Sequence, residues 1–145
     1  MRILVIRFSA LGDVAMLVPV LRQVSADNKN NEYIVLSKPI YEPLFDGVGE
    51  NVSFIGADMK KYYKGLPGIY RLFKELNKLN FDYIIDEHDV LRTKVLRFLF
   101  KIHGYKVRKI DKHRNLRKLI TAQPPKKVLK QLPTAFDNYF EALKI

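Results

Sequence analysis

Apolar runs and helical stripes alternate along the chain. Ile3, Leu4, Val5 and Ile6 form an unbroken apolar run rich in β-branched residues, which suits a strand buried on both faces of a sheet. The run is too short to span a membrane. After Arg7-Phe8-Ser9-Ala10-Leu11-Gly12-Asp13, Val14, Leu17, Val18, Leu21 and Val24 fall on one helical face. Pro19 removes a donor there, so the helix either kinks or starts anew near Pro19. Tyr33–Ser37 reads as a second strand ended by Pro39, with a short helix over Ile40–Phe45. Val52–Ile55 reads as a third strand ending at Gly56.

A loop with Lys60, Lys61, Lys64, Tyr62 and Tyr63 precedes a second helix striped by Ile69, Leu72, Phe73, Leu76 and Leu79. Asp82–Asp86 is a fourth strand. The next helix is expected to present Leu91, Val95, Phe98, Leu99 and Ile102 on one face, with Arg92, Lys94 and Arg97 on others. Tyr105–Ile110, basic around Val107, suits a fifth strand at a sheet edge. Pro124-Pro125 marks an extended break. Thr134 with Asp137 suggests a capped final helix with Phe136, Tyr139, Phe140 and Leu143 inward. Strands alternating with helical crossovers imply an α/β fold, a Rossmann-like mostly parallel sheet flanked by helices.

At 145 residues, 48% of them hydrophobic, the chain fits one domain with a real core. It has no cysteine, so disulfides and thiolate metal sites are excluded. Arg2 and Arg7 bracket only four apolar residues, which is not a signal peptide. The net charge of +11 suits nucleic acid, an anionic membrane surface or a phosphorylated substrate, and it also favours solubility. Basic residues continue through Lys112, Arg114, Arg117, Lys118, Lys126, Lys127 and Lys130.

Several chemistries are missing. Gly12 stands alone after the first strand, so there is no G-x-G-x-x-G dinucleotide fingerprint, and no P-loop occurs. Asp82, Asp86 and Asp89 lack the early acidic pair of a receiver pocket. His88, His103 and His113 lack zinc-ligand spacing. No nucleophile elbow and no common nucleic-acid module is present.

The candidate chemistry lies in the first loop, because ligands of open α/β sheets bind beyond the carboxyl ends of strands. Asp13 follows a glycine near a helix start, where negative charge is favoured by roughly 0.3–1 kcal/mol, and is expected to be ionised at neutral pH. It can serve as a catalytic base or merely as the helix N-cap. Arg92, close to a helix start, can reach into the cleft with its fork or pair with Asp86, Glu87 or Asp89. The lysine–tyrosine loop suits phosphates and rings, and equally suits a solvated surface.

The stretch Ile3-Leu4-Val5-Ile6-Arg7-Phe8-Ser9-Ala10-Leu11-Gly12-Asp13-Val14, with Pro19 six residues past the acid, resembles the opening of the lipopolysaccharide heptosyltransferases of glycosyltransferase family nine. Phe81-Asp82-Tyr83-Ile84-Ile85-Asp86 followed by Leu91-Arg92-Thr93 agrees with that family. So does Leu132-Pro133-Thr134-Ala135-Phe136-Asp137-Asn138-Tyr139-Phe140. The resemblance implies that residues 1–145 are the amino-terminal, acceptor-binding half of a GT-B fold. The carboxy-terminal half that binds a nucleotide sugar, usually ADP-heptose, is absent from this chain, either as an excised domain or as a truncated product. No turnover is expected from this half alone.

By the same resemblance the reaction is inverting transfer of heptose, or a related sugar, to a lipopolysaccharide inner-core acceptor, with Asp13 as general base. Ser9 and Gly12 shape its loop, Gly12 letting the backbone approach closely. Lys60, Lys61 and Lys64, with Arg114 and Arg117, hold acceptor phosphates. No metal or other cofactor is implied. The implied partner is an anionic lipid-linked saccharide at the cytoplasmic face of the inner membrane, contacted peripherally, and no nucleic acid is expected. Glu87-His88-Asp89-Val90 stands where the family often has glutamine-glycine, which leaves the acceptor and the sugar open. The alternatives are a non-catalytic basic module binding anions or nucleic acid, and a degenerate transferase half acting as a partner subunit.

Overall fold

Strand β1 (Arg2–Ile6) is hydrogen-bonded on both edges, which explains its unbroken apolar run. It pairs in parallel with β2 (Glu32–Ser37) on one side and with β4 (Tyr83–Asp86) on the other. β3 (Val52–Gly56) lies outside β2, and β5 (Lys106–Lys109) lies outside β4. The five strands are all parallel, in the order β3-β2-β1-β4-β5. The computed structural model describes residues 1–124 and 130–145. The expected break at Pro124-Pro125 and the basic Lys126 and Lys127 fall wholly or partly outside them.

Each face of the sheet carries its own core. Ile3 and Val5 point into one, with α1 (Leu11–Asp27), α5 (Ala135–Leu143) and a short 3-10 helix over Pro39–Phe45. Leu4 and Ile6 point into the other, under α2 (Gly65–Asn77) and α3 (Leu91–Ile102). All four β1 side chains are fully buried. α4 (Arg114–Thr121) buries no residue. The α/β reading from periodicity therefore holds, including the basic edge strand β5.

Three expectations need correction. α1 begins at Leu11 and runs unbroken through Pro19, so no second helix starts there. Pro19 is exposed, where the carbonyl it leaves unbonded can be hydrated. On α3 the buried residues are Thr93, Leu96 and Phe100, whereas Leu91, Phe98 and Ile102 are exposed. Of the face expected inward, Leu91, Phe98 and Ile102 are turned to solvent, while Val95 and Leu99 are half-buried against the core. On α5, Tyr139 and Leu143 are buried as expected, but Phe136 is exposed. The Thr134 cap does form: Asp137 N donates to Thr134 Oγ1 at 3.2 Å, and Thr134 N donates to Asp137 Oδ2 at 2.8 Å.

The lysine–tyrosine loop is fixed to α2 by close backbone contact. A Cβ on Gly68 would lie 2.1 Å from the Tyr63 carbonyl carbon. Gly68→Ala is expected to destabilise the fold by about 1–3 kcal/mol, the range for overpacking, read as a lower urea midpoint.

Candidate active site

The strand order reverses between β1 and β4, because the chain runs outward through β2 and β3 before returning beside β1. Crevices form at such switch points, and the residues leaving β1 and β4 meet here. Arg7, just past β1, is 7% exposed. Its Nη2 lies 2.5 Å from Asp13 Oδ2, and its Nη1 donates to the Glu87 carbonyl. Its guanidinium carbon sits 5.7 Å from the centre of the Tyr139 ring. One buried cation therefore ties the β1 and β4 ends to α1 and α5.

Asp13 is the third residue of α1 and not its N-cap, which is Ala10. Asp13 Oδ2 reaches back to accept from Ala10 N at 3.3 Å. It is thus both a helix-start ligand and an ion-pair partner, and both contacts use one oxygen. Among the described residues Oδ1 has no hydrogen-bond partner, and the side chain is 40% exposed. An oriented carboxylate with one oxygen free can accept a proton from a guest. Ser9, in the same loop, shares a 3.2 Å hydrogen bond with His88 Nε2. A Cβ at Gly12 would meet nothing within 4 Å. The expected close backbone approach at Gly12 therefore does not occur within the chain itself.

Two neutral groups line the β4 end. Glu87 is fully buried, and neither carboxyl oxygen has a hydrogen-bond partner among the described residues. Burial pushes its pKa up to about 9; the Arg7 charge opposes this and Asp86 adds to it. His88 is pushed down to about 4, first by burial and then by Arg7 and Lys112, so its ring is neutral at pH 7. Asp86, fully buried, is a structural acid. Its Oδ1 accepts from His88 N and Asp89 N at 3.0 and 2.9 Å, and its Oδ2 pairs with Arg97 at 2.8 Å.

Arg92 does not make the ion pair with Asp86 or Asp89 considered for it; Arg97 does. Arg92 instead joins Lys38, Lys60, Pro39, Ile40, Asp58 and Met59 around a cavity of about 310 Å³ beyond the ends of β2 and β3. Asp58 adds one negative charge to this lining: its Oδ1 accepts from the backbone amides of Lys60 and Lys61 at 2.9 and 3.0 Å, which lowers its pKa and holds it ionised. Lys61 and Lys64 are exposed and do not line this cavity. Arg114 is held by Asp89, at 3.2 Å from its Oδ2. Arg117 lies exposed on α4 and joins neither group.

The residue pattern singles out Asp13, Arg92 and the loop of Lys60, Lys61 and Lys64, and the family resemblance adds Ser9, Gly12, Arg114 and Arg117. Both miss Arg7 as a clamp, Lys38, Tyr139 and the buried acid Glu87. A charged residue directly after a doubly buried strand was the available signal for Arg7. No local signal pairs Arg7 with Glu87, 80 positions away. Among the described residues no group of three or more His, Asp or Glu side chains could hold a metal ion.

Comparison with known proteins gives the fold. A scan of family models and a search of curated proteins find no match. Among solved structures, a family-nine glycosyltransferase from Veillonella parvula superposes with a TM-score of 0.68 at 19% identity, over 98% of this chain and 40% of that one. The chain has an α/β fold, an all-parallel sheet flanked by helices, shared with GT-B glycosyltransferases. The E. coli heptosyltransferase WaaC with ADP-2-deoxy-2-fluoro heptose gives 0.62 at 16% identity, over 98% of this chain and 47% of that one. A UDP-N-acetylglucosamine 2-epimerase gives 0.52 at 10% identity, over 79% and 36%. The chain thus spans less than half of each, and the fold alone is compatible with more than one reaction.

Glu87 gives the site a pH signature. Between pH 4.5 and about 9 the unfolded chain releases a proton that the folded chain keeps. Stability therefore falls as pH rises through that window, by up to about 1.4 kcal/mol per unit. His88 acts oppositely: below pH 6.5 the unfolded chain gains a proton that the folded chain refuses until about pH 4. Glu87→Gln keeps the neutral acid's shape. It is expected to stabilise the protein at pH 7–9 with no gain at pH 4, read by urea unfolding across pH. An unchanged pH slope would contradict a protonated Glu87.

Proposed function

We propose that the chain is the acceptor-side half of a family-nine glycosyltransferase. In this reading the enzyme moves heptose, or a related sugar, from an ADP-sugar to an anionic, lipid-linked inner-core saccharide. The observation that carries the reading is Asp13: a carboxylate oriented through one oxygen by Arg7, with the other free, at the switch point of the sheet. The fold shared with the glycosyltransferase structures supports it.

Asp13 takes the proton of an acceptor hydroxyl as that oxygen attacks the anomeric carbon from the side opposite the nucleotide. The new carbon–oxygen bond forms as the bond to the diphosphate breaks. The electron pair leaves with the nucleotide, and the stereochemistry inverts. A carboxylate is a weak base, so its contribution rests on position, typically about 10²–10⁴-fold. Arg7 is a positioning residue that keeps the carboxylate turned to the crevice. In this reading no metal ion takes part, and the donor is held by a nucleotide-binding half.

Lys38, Lys60 and Arg92 take the acceptor's anionic groups, because they line one cavity on the same edge of the sheet. The neutral His88 and its Ser9 partner lie beside the loop of Asp13, in place of the family's usual glutamine-glycine, and select among acceptor hydroxyls. A lipid-linked acceptor puts the enzyme at the cytoplasmic face of the inner membrane, as a peripheral protein.

Two measurements test this. With the nucleotide-binding half present, Asp13→Asn is expected to reduce transfer at least about a hundredfold while donor affinity stays unchanged. Transfer at the wild-type rate would leave Asp13 as a helix-start ligand only. In the chain itself, Lys60→Glu with Arg92→Glu is expected to weaken binding of a lipid-free phosphorylated inner-core fragment. The wild-type affinity should fall steeply with salt, as read by calorimetry.

A further inference from the structure

The outer surface of α3 is apolar where a helix of a free-standing domain is ordinarily polar. Leu91, Phe98 and Ile102 are 78%, 60% and 58% exposed. Their spacings of seven and four residues place them in one line along the helix; Val95, between them, is half-buried and packs against the core. The line lies opposite the buried Thr93, Leu96 and Phe100. Single exposed apolar residues are ordinary, but an aligned set of this size marks a contact surface.

Cations border this line. Lys94 and Lys101 flank it, and Arg92 stands beside Leu91 at the helix start. α3 contains no acid. Phe98 shares a surface hollow with Lys94, Arg97, Lys101, Arg108 and Lys109. Arg97 is neutralised by Asp86 and Asp89 beneath it, so the charge that remains outward is positive. The cations along this line argue against a second copy of this chain as occupant, since two such faces would bring positive charge against positive charge. It fits a bilayer with anionic headgroups. There the apolar line enters the acyl boundary and the lysine stems reach back to the headgroups.

We propose that α3 is a membrane-docking helix that lies in the interface of an anionic bilayer through Leu91, Phe98 and Ile102, with Arg92, Lys94 and Lys101 on the headgroups. This deepens the proposed lipid-linked acceptor and rests on that reading only for its biological purpose; the surface itself stands independently. α3 starts right after the β4 end, so a bilayer docked along it lies next to the crevice.

The test is flotation of the chain with vesicles of phosphatidylglycerol and phosphatidylcholine in equal parts, against phosphatidylcholine alone. The wild type is expected to float with the anionic vesicles and less so in high salt. Phe98→Ser with Ile102→Ser should cut partitioning at least about tenfold, and so should Lys94→Glu with Lys101→Glu. Leu66→Ser with Tyr70→Ser, on the exposed side of α2, should not. Circular dichroism verifies that each variant is folded. A wild type that stays in solution overturns the proposal. So does an α3 variant that floats as well as the wild type, or a wild type whose α3 face instead holds a dimer in sedimentation. Binding of the lipid-free inner-core fragment is read in parallel. If the fragment fails to bind while flotation depends on α3, the functional reading falls and the docking helix stands.

Discussion

Arg7 is the group on which the arrangement at the β1 and β4 ends depends. A guanidinium that is almost wholly buried must find compensation, since a lone charge in a low-dielectric interior costs several kcal/mol. Its compensation comes from Asp13 on α1, the Glu87 carbonyl past β4 and the face of Tyr139 on α5. These elements are far apart in sequence and meet only if β4 lies beside β1 and α5 packs on α1. The ion pair therefore acts as a check on the topology. The same pair turns Asp13 outward through a single oxygen.

The neighbouring Glu87 sharpens the electrostatics. An ionised Glu87 would compete with Asp13 for Arg7 at close range. Burial keeps Glu87 protonated at neutral pH because desolvation outweighs the attraction of Arg7. His88 is likewise neutral. Beside the Arg7–Asp13 pair thus stand two neutral groups, Glu87 and His88. That leaves Arg7 undivided in its hold on Asp13. A site built this way loses the arrangement if Glu87 ionises, since a second carboxylate would then draw on the same guanidinium.

Most of the architecture was legible in the sequence, because doubly buried strands read as unbroken apolar runs and α1 and α2 as stripes. α3 was misread for a physical reason. Periodicity finds an apolar face but does not say which face is inside, and α3 has two. Its true inner face includes Thr93, whose hydroxyl is satisfied locally by donating to the Val90 carbonyl at 3.0 Å. The residue looked polar and was discounted. Phe136 was misread in the same way. In the site, the strand–loop–helix pattern places Asp13 at the helix start, but leaves open whether it caps the helix or meets a guest. Glu87, Lys38 and Tyr139 were not legible, because their roles depend on strand order, which no local pattern encodes.

The positive charge also resolves into distinct populations. Arg7, Arg97 and Arg114 are consumed internally by Asp13, Asp86 and Asp89. Internal pairing neutralises these cations and leaves the net excess of +11 elsewhere. Part of that excess is ordered into two neighbouring sets, Lys38, Lys60 and Arg92 around the cavity and Lys94 and Lys101 along α3. Arg92 belongs to both neighbourhoods. Solubility alone would scatter such charges and would not pair one set with an exposed apolar line. A substrate with an anionic saccharide on a lipid needs this combination: cations for its headgroup next to a surface that tolerates the bilayer holding it. On the proposed reading, the chemistry of such an acceptor would account for features of α3 that the packing of the domain leaves unexplained.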